Sequence, residues 1–135
     1  MAMVEVELAR GPIHPALSEA IDGVGASLSF QGVVRGTENG RLISGLEYEA
    51  YEPMATQQLT ALAHDMVDRF GLLAIRVLHS TEFVPAGEIS FSLTIQSAHR
   101  KEGIQALDRF IDEMKRDIAI WKKPVFLDKA AGTDQ

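Results

Sequence analysis

The sequence predicts an α+β fold: a mixed, largely antiparallel sheet with helices packed on one face and a small β subdomain. Three observations carry this. Two long segments, opening at Pro53 and near His99, place apolar residues at a 3.6-residue period. Several short segments alternate apolar with polar residues, as half-buried strands do. An Asn39-Gly40 pair joins two of them, and it tolerates the positive φ of a tight hairpin. Hairpins mixed with helices favour antiparallel pairing over a wound parallel sheet.

The elements follow in order. Val4, Val6 and Leu8 alternate with Glu5 and Glu7 in a short strand, broken at Gly11-Pro12. His14 to Ile21 reads as a short helix closed by Gly23. Ala26, Leu28 and Phe30 alternate with Ser27, Ser29 and Gln31 in a half-buried strand reaching Arg35. After the Thr37–Gly40 turn, Leu42 to Tyr51 returns as a strand with Leu46, Tyr48 and Ala50 on one face. Pro53 opens a long helix, and Leu59, Leu62, Ala63, Met66, Val67 and Phe70 form its apolar side. Gly71 is placed to stop it. Leu73 to His79 is a strand, and Pro85-Ala86-Gly87 a turn. Ile89, Phe91, Leu93 and Ile95 alternate with Ser90, Ser92, Thr94 and Gln96, a strand expected to be wet on one face. The helix from His99 carries Ile104, Leu107, Ile111, Met114 and Ile118 as its stripe. Ala119 to Phe126 reads extended, and Pro124 makes it an edge or a loop, because proline has no ladder donor. The expected order is β-α-β-β-α-β-β-α-β.

Length and composition bound the chemistry. The 135 residues suit one domain, 1–135, with a C-terminal tail of about 127–135 expected to be flexible. No apolar run approaches the roughly 20 residues of a membrane helix, and the N-terminus lacks a signal-peptide core, so a cytoplasmic protein is expected. There is no cysteine, which excludes disulfides, thiolate nucleophiles and Cys-ligated metals. His14 and His79 stand at no metal-ligand spacing, so no metal is expected. The net charge of −6 argues against nucleic acid as a partner. Yet residues 99–123 hold seven Lys/Arg against five Asp/Glu, a local excess suited to a small anionic ligand.

Four clusters could carry chemistry. Phe30-Gln31-Gly32-Val33-Val34-Arg35-Gly36 ends a strand in an arginine beside glycines, which leaves room for a ligand; by itself it is also an ordinary hairpin shoulder. Ser97-Ala98-His99-Arg100 enters a helix, where free N–H groups favour a phosphate; Ser97 could equally cap that helix while Arg100 covers its first turn. Lys115 lies near a helix C-terminus, where the dipole alone favours a cation. Ile120-Trp121-Lys122-Lys123-Pro124 sets a lone tryptophan beside two lysines, and the ring could be a core anchor. Glu47, Glu49 and Glu52 read as a solvated strand edge, and His64 as a solvent-facing or boundary residue.

In order and spacing these clusters resemble the large, catalytic subunit of molybdopterin synthase. The matching residues are Phe30/Gly32/Val34/Arg35, Tyr51-Glu52/Met54-Ala55 (or Tyr48-Glu49), Ser97/His99-Arg100 and Lys115/Ile120-Trp121-Lys122, and the likeness covers roughly residues 3–127. The resemblance implies a sulfurtransferase that converts a cyclic pyranopterin monophosphate into molybdopterin, the pterin precursor of the molybdenum cofactor, with no cofactor of its own bound. Sulfur would arrive as a thiocarboxylate on the C-terminal Gly-Gly tail of a small ubiquitin-like subunit. The large subunit would be a homodimer with one small subunit at each end. By carry-over Lys115 and Lys122 are catalytic, stabilising negative charge or moving protons. Arg35, His99, Arg100, Phe30 and Lys123 bind substrate.

Geometry adds that residues 99 and 115 would lie about 24 Å apart on a straight helix. A small phosphorylated pterin cannot bridge that, so the expected site is composite, with Lys115, Lys122 and Arg35 from one subunit and His99 and Arg100 from its mate. The sequence departs from the family twice. It reads His79-Ser80-Thr81-Glu82 where His-Arg-x-Gly is usual, and it has Pro124 where Ile-Trp-Lys-x-Glu is usual. These departures define an alternative, a paralogue that binds the small subunit or a phosphorylated pterin with little or no catalysis.

Overall fold

The computed structural model describes residues 2–17 and 19–127. Its elements are β1 (Met3–Arg10), β2 (Ala26–Val33), β3 (Thr37–Glu38), β4 (Arg41–Ala50), α1 (Met54–Phe70), β5 (Ala74–Pro85), β6 (Ile89–Ser97), α2 (Arg100–Asp117) and β7 (Ile120–Phe126). The expected tail, beyond Leu127, lies outside the described residues.

One strand organises the sheet. β5 is 12 residues long and changes partners along its length. Its first part lies between β1, which is parallel to it, and β6, which is antiparallel. Its last four residues, Glu82 to Pro85, pair instead with β4. β6 carries β2 on its other side, and β4 carries β3 and β7. The path β2-β6-β5-β4-β3 is therefore antiparallel throughout, with the parallel β1 added at β5. The bend falls at Glu82, whose φ is +66°.

Two cores follow from this division. Both helices pack on the β1-β5-β6-β2 part, where Leu59, Met66, Ile75, Leu93, Ile95 and Phe110 are fully buried. Burial of a ring such as Phe110 is worth about 2–3 kcal/mol. A smaller core of Val34, Ile43, Leu46 and Val84 holds the β3-β4-β7 part, which is the small β subdomain.

Helix α1 starts after Pro53 and ends at Gly71, whose φ of +64° makes the left-handed stop. β7 pairs with β4, and Pro124 lies opposite Leu46, where its missing N–H is tolerated on an edge strand.

Four local expectations are corrected. No helix forms over the described residues of 14–21. Two turns between Pro12 and Gly23 cannot offset helix nucleation. The buried Gln96 amide instead donates to the Glu19 carbonyl at 3.0 Å, and its oxygen takes the Ile21 N–H at 3.5 Å. This also corrects the second expectation, because the polar side of β6 is not wet: Ser90, Ser92 and Gln96 are buried.

Third, the expected stripe of α2 holds at Met114, which is buried, and at Leu107, Ile111 and Ile118, which pack partly buried against the core, but Ile104 is half exposed and the centre of the buried side is Gly103, Ala106 and Phe110. Gly103 sets this rotation. A Cβ there would stand 2.6 Å from both Leu28 Cδ1 and Ser97 Oγ, so any larger residue must displace those side chains for α2 to sit this close to β2 and β6. Fourth, Trp121 is no core anchor, being 58% exposed.

Candidate active site

Where β5 leaves one core for the other, the gap between them opens as a cleft of about 760 Å³. The end of β2 and the following loop bring Phe30 and Arg35 to it. The last turns of α2 supply Ile111, Met114 and Lys115, and β7 supplies Ile120, Trp121 and Lys122. Arg35, Lys115 and Lys122 make no ion pair with any described residue. Glu38 is the carboxylate of the lining. Three unneutralised cations around apolar walls suit a ligand with a flat apolar body and an anionic group.

The floor is polar but uncharged. A bulge in the β2–β6 pairing skips Ser90, which has no partner across the ladder. Its Oγ lies 2.9 Å from the Tyr48 hydroxyl. The Tyr48 ring meets His79 edge-on at 5.3 Å between centroids, and Phe91 lies 5.7 Å from the imidazole. His79 Nδ1 is 2.8 Å from the Ser80 carbonyl. Burial lowers the His79 pKa, against the smaller opposing pull of that hydrogen bond, and holds the ring neutral. Burial likewise raises the Tyr48 pKa, outweighing the Ser90 hydrogen bond, and keeps the phenol protonated.

A second, shallower cleft of about 750 Å³ lies at the other end of α2, lined by Gly25, Ala98, His99, Arg100 and Lys101 among others. The His99 N–H donates to Glu102 Oε2 at 2.9 Å. Glu102 accepts from its own backbone N–H and from that of His99, which holds its carboxyl below the usual range. Ser97 does not cap the helix by its side chain: its Oγ donates to the His99 carbonyl at 2.6 Å.

The chain thus brings Phe30, Arg35, Lys115 and Lys122 into one cleft and sets His99 and Arg100 in another. Lys123 lines neither, and stands on the exposed side of β7 opposite Glu47. The expected site residues do not include Tyr48, His79 or Ser90, although Tyr48-Glu49 is one alternative in the family match. His79 shares the parity of the buried Ile75 and Val77, which marks it as inward-facing, but only the bulge and the β4 pairing bring the two hydroxyls to it.

The first departure from the family pattern, at Ser80 and Glu82, has a structural account at both positions. Ser80 is fully buried, and its Oγ donates to the Gly11 carbonyl at 2.7 Å, so position 80 has no room for a cation. Glu82 holds the positive φ that a glycine would adopt there without strain.

Comparison with known proteins gives the family and the fold. The family model described as MoaE protein matches residues 8–117. A molybdopterin synthase catalytic subunit from Dictyostelium discoideum is 36% identical over 109 residues, covering 79% of this chain and 69% of that protein. Across the relatives compared, the chain spans from about half to about two thirds of their length. Among solved structures, molybdopterin synthase from Staphylococcus aureus superposes with a TM-score of 0.77 at 26% identity, covering 94% of this chain and 92% of that one. A complex of subunits 1 and 2 of molybdopterin-converting factor from Helicobacter pylori shares the fold, with a TM-score of 0.69 at 22% identity over 92% of this chain and 90% of that one.

Proposed function

The chain belongs to the MoaE protein family, and from that premise we propose that it is the catalytic subunit of a molybdopterin synthase. It takes a cyclic pyranopterin monophosphate and installs the dithiolene sulfurs. Each sulfur arrives as the C-terminal thiocarboxylate of a small ubiquitin-like subunit ending in Gly-Gly. The observation that carries this reading is the convergence of Arg35, Lys115 and Lys122, without acidic partners, on a cleft walled by Phe30, Met114 and Trp121.

The residues divide the work. Lys115, at the end of α2, meets the incoming thiocarboxylate tail. Lys115 and Lys122 stabilise negative charge that develops during sulfur transfer, or carry protons to and from it. Arg35 binds the anionic end of the substrate, and Phe30 covers the pterin ring. Lys123 has no place in this cleft.

His99 and Arg100 complete the site from a second copy of the chain. Helix α2 is 18 residues long, about 27 Å, so its two ends cannot share one small ligand within a subunit. The working form is then a homodimer carrying a small subunit at each end; the Helicobacter pylori complex of subunits 1 and 2 supports the pairing with a second kind of subunit. Residues 1–135 act as one domain in the cytoplasm. No resident cofactor is needed, since the partner delivers the sulfur. No helix among the described residues is long and apolar enough to cross a membrane.

A single-turnover assay tests the proposal. Purified chain is mixed with thiocarboxylated small subunit and cyclic pyranopterin monophosphate, and dithiolene product is followed for the native protein and Lys115→Ala. Product that depends on Lys115 is expected. Tight binding of the small subunit with no product from the native chain would overturn the enzyme reading in favour of a non-catalytic paralogue.

A further inference from the structure

His79 is only 7% exposed, yet it lines the cleft that holds Arg35, Lys115 and Lys122. Its Nδ1 faces the Ser80 carbonyl at 2.8 Å. A carbonyl can only accept, so the ring proton sits on Nδ1 and Nε2 carries a lone pair. No described residue donates to Nε2. A buried acceptor without a donor costs about 1–3 kcal/mol, which an apolar side chain of the same shape would avoid.

Beside it stands the Tyr48–Ser90 pair, with its oxygens 2.9 Å apart. Whichever hydroxyl donates, the other keeps a free O–H. The floor of the cleft therefore offers one acceptor and one donor, both neutral, under three cations. The cations suffice for a phosphate, which accepts hydrogen bonds and has no use for an imidazole lone pair. A flat heterocycle with an N–H beside a carbonyl matches both floor groups.

We propose that His79 is a substrate-binding residue whose Nε2 accepts a hydrogen bond from a ring N–H of the bound heterocycle, while the Tyr48–Ser90 pair donates to the adjacent carbonyl or ring nitrogen. This rests on the pterin reading and deepens it. The cations hold the anionic end, and the neutral floor selects the heterocycle and fixes which edge of it points inward. The Tyr48 and Phe91 rings clamp the imidazole in place.

The test uses two variants and two ligands. His79→Asn keeps an amide N–H for the Ser80 carbonyl but removes the acceptor at the far end of the ring. His79→Gln keeps an acceptor near Nε2. Trp121, the sole tryptophan, lines the cleft and reports occupancy by its fluorescence. Cyclic pyranopterin monophosphate and inorganic phosphate are titrated separately, with thermal melts to establish that each variant is folded.

His79→Asn is expected to weaken pterin binding about tenfold, the worth of roughly one hydrogen bond. His79→Gln should hold it within about threefold, and phosphate binding should change in neither. The proposal is overturned if His79→Asn binds the pterin as the native chain does, if both variants lose it alike, or if phosphate affinity falls in step. A native chain that binds phosphate but not the pterin would overturn the pterin reading itself. That outcome is separate, because it shows before any substitution is made.

Discussion

His99 and Lys115 occupy opposite ends of one helix and line different clefts. Either the two clefts work separately, or two copies of the chain bring one end of each helix together. The second arrangement predicts complementation. Chains carrying His99→Ala and chains carrying Lys115→Ala should each be inactive alone. Unfolded together and refolded as mixed dimers, they should recover about a quarter of native activity, since about half the dimers are mixed and each has one intact site of two. Recovery of nothing in the single-turnover assay would sink the shared site.

Ser80 stands where the family often has arginine, but the pocket around it is closed. Ser80→Arg is expected to destabilise the fold by roughly 3 kcal/mol or more, because it buries a charge and displaces the bond to the Gly11 carbonyl. Ser80→Ala should cost only about 1–2 kcal/mol. Urea denaturation of both variants measures this. An arginine variant as stable as the native chain would show that the N-terminal segment can move aside.

Glu82 bends β5 at a φ that glycine adopts freely. Its ion pair with Arg10 is exposed at both ends, with 85% and 59% of the side chains accessible, and contributes little. Glu82→Gly should therefore raise stability by roughly 1 kcal/mol despite the greater freedom glycine brings to the unfolded chain. A fall in the denaturation midpoint would mean that the ion pair outweighs the backbone strain.

Acid should loosen the molecule through His79. Burial depresses its folded pKa below the ordinary imidazole value of 6.5. Above that value both folded and unfolded states are neutral and the residue contributes no pH dependence. As pH falls below it, the unfolded chain takes up a proton that the folded one refuses, so stability declines until the depressed pKa is reached. Tyr48, the titratable neighbour on the ring, stays protonated throughout. The slope from this proton is at most about 1.4 kcal/mol per pH unit. His79→Gln should flatten the stability curve below 6.5, and an unchanged curve would show that the imidazole protonates in the folded state.

Much of the fold was legible because its signals are local. Pro53 and Gly71 bracket α1 by backbone preference alone, and Asn39-Gly40 forms a turn whatever surrounds it. The alternation of Val4, Val6 and Leu8 needs only one buried face to declare a strand. The misreadings are those in which a distant group decides. The 14–21 segment follows the buried Gln96 amide, some 75 residues away, rather than its own weak helical pattern. The rotation of α2 depends on how closely Gly103 approaches Leu28 and Ser97, which no periodicity records.

The site divides in the same way. Cations announce themselves in a sequence because a charge without a nearby opposite charge calls for a reason, and Arg35, Lys115 and Lys122 do meet in one cleft. Their order and spacing also sufficed to indicate the family. The neutral groups gave no such sign. His79 and Tyr48 lie on adjoining strands, and Ser90 faces Tyr48 because a bulge removes it from the ladder. The sequence by itself determined the kinds of element, the charged residues and the absence of cysteine chemistry, since each is set by residues close along the chain or by composition. Tertiary structure alone decided how α2 is rotated on the sheet at Gly103 and that a neutral imidazole faces the cleft, because both depend on strand register and helix packing, which couple residues far apart in the chain.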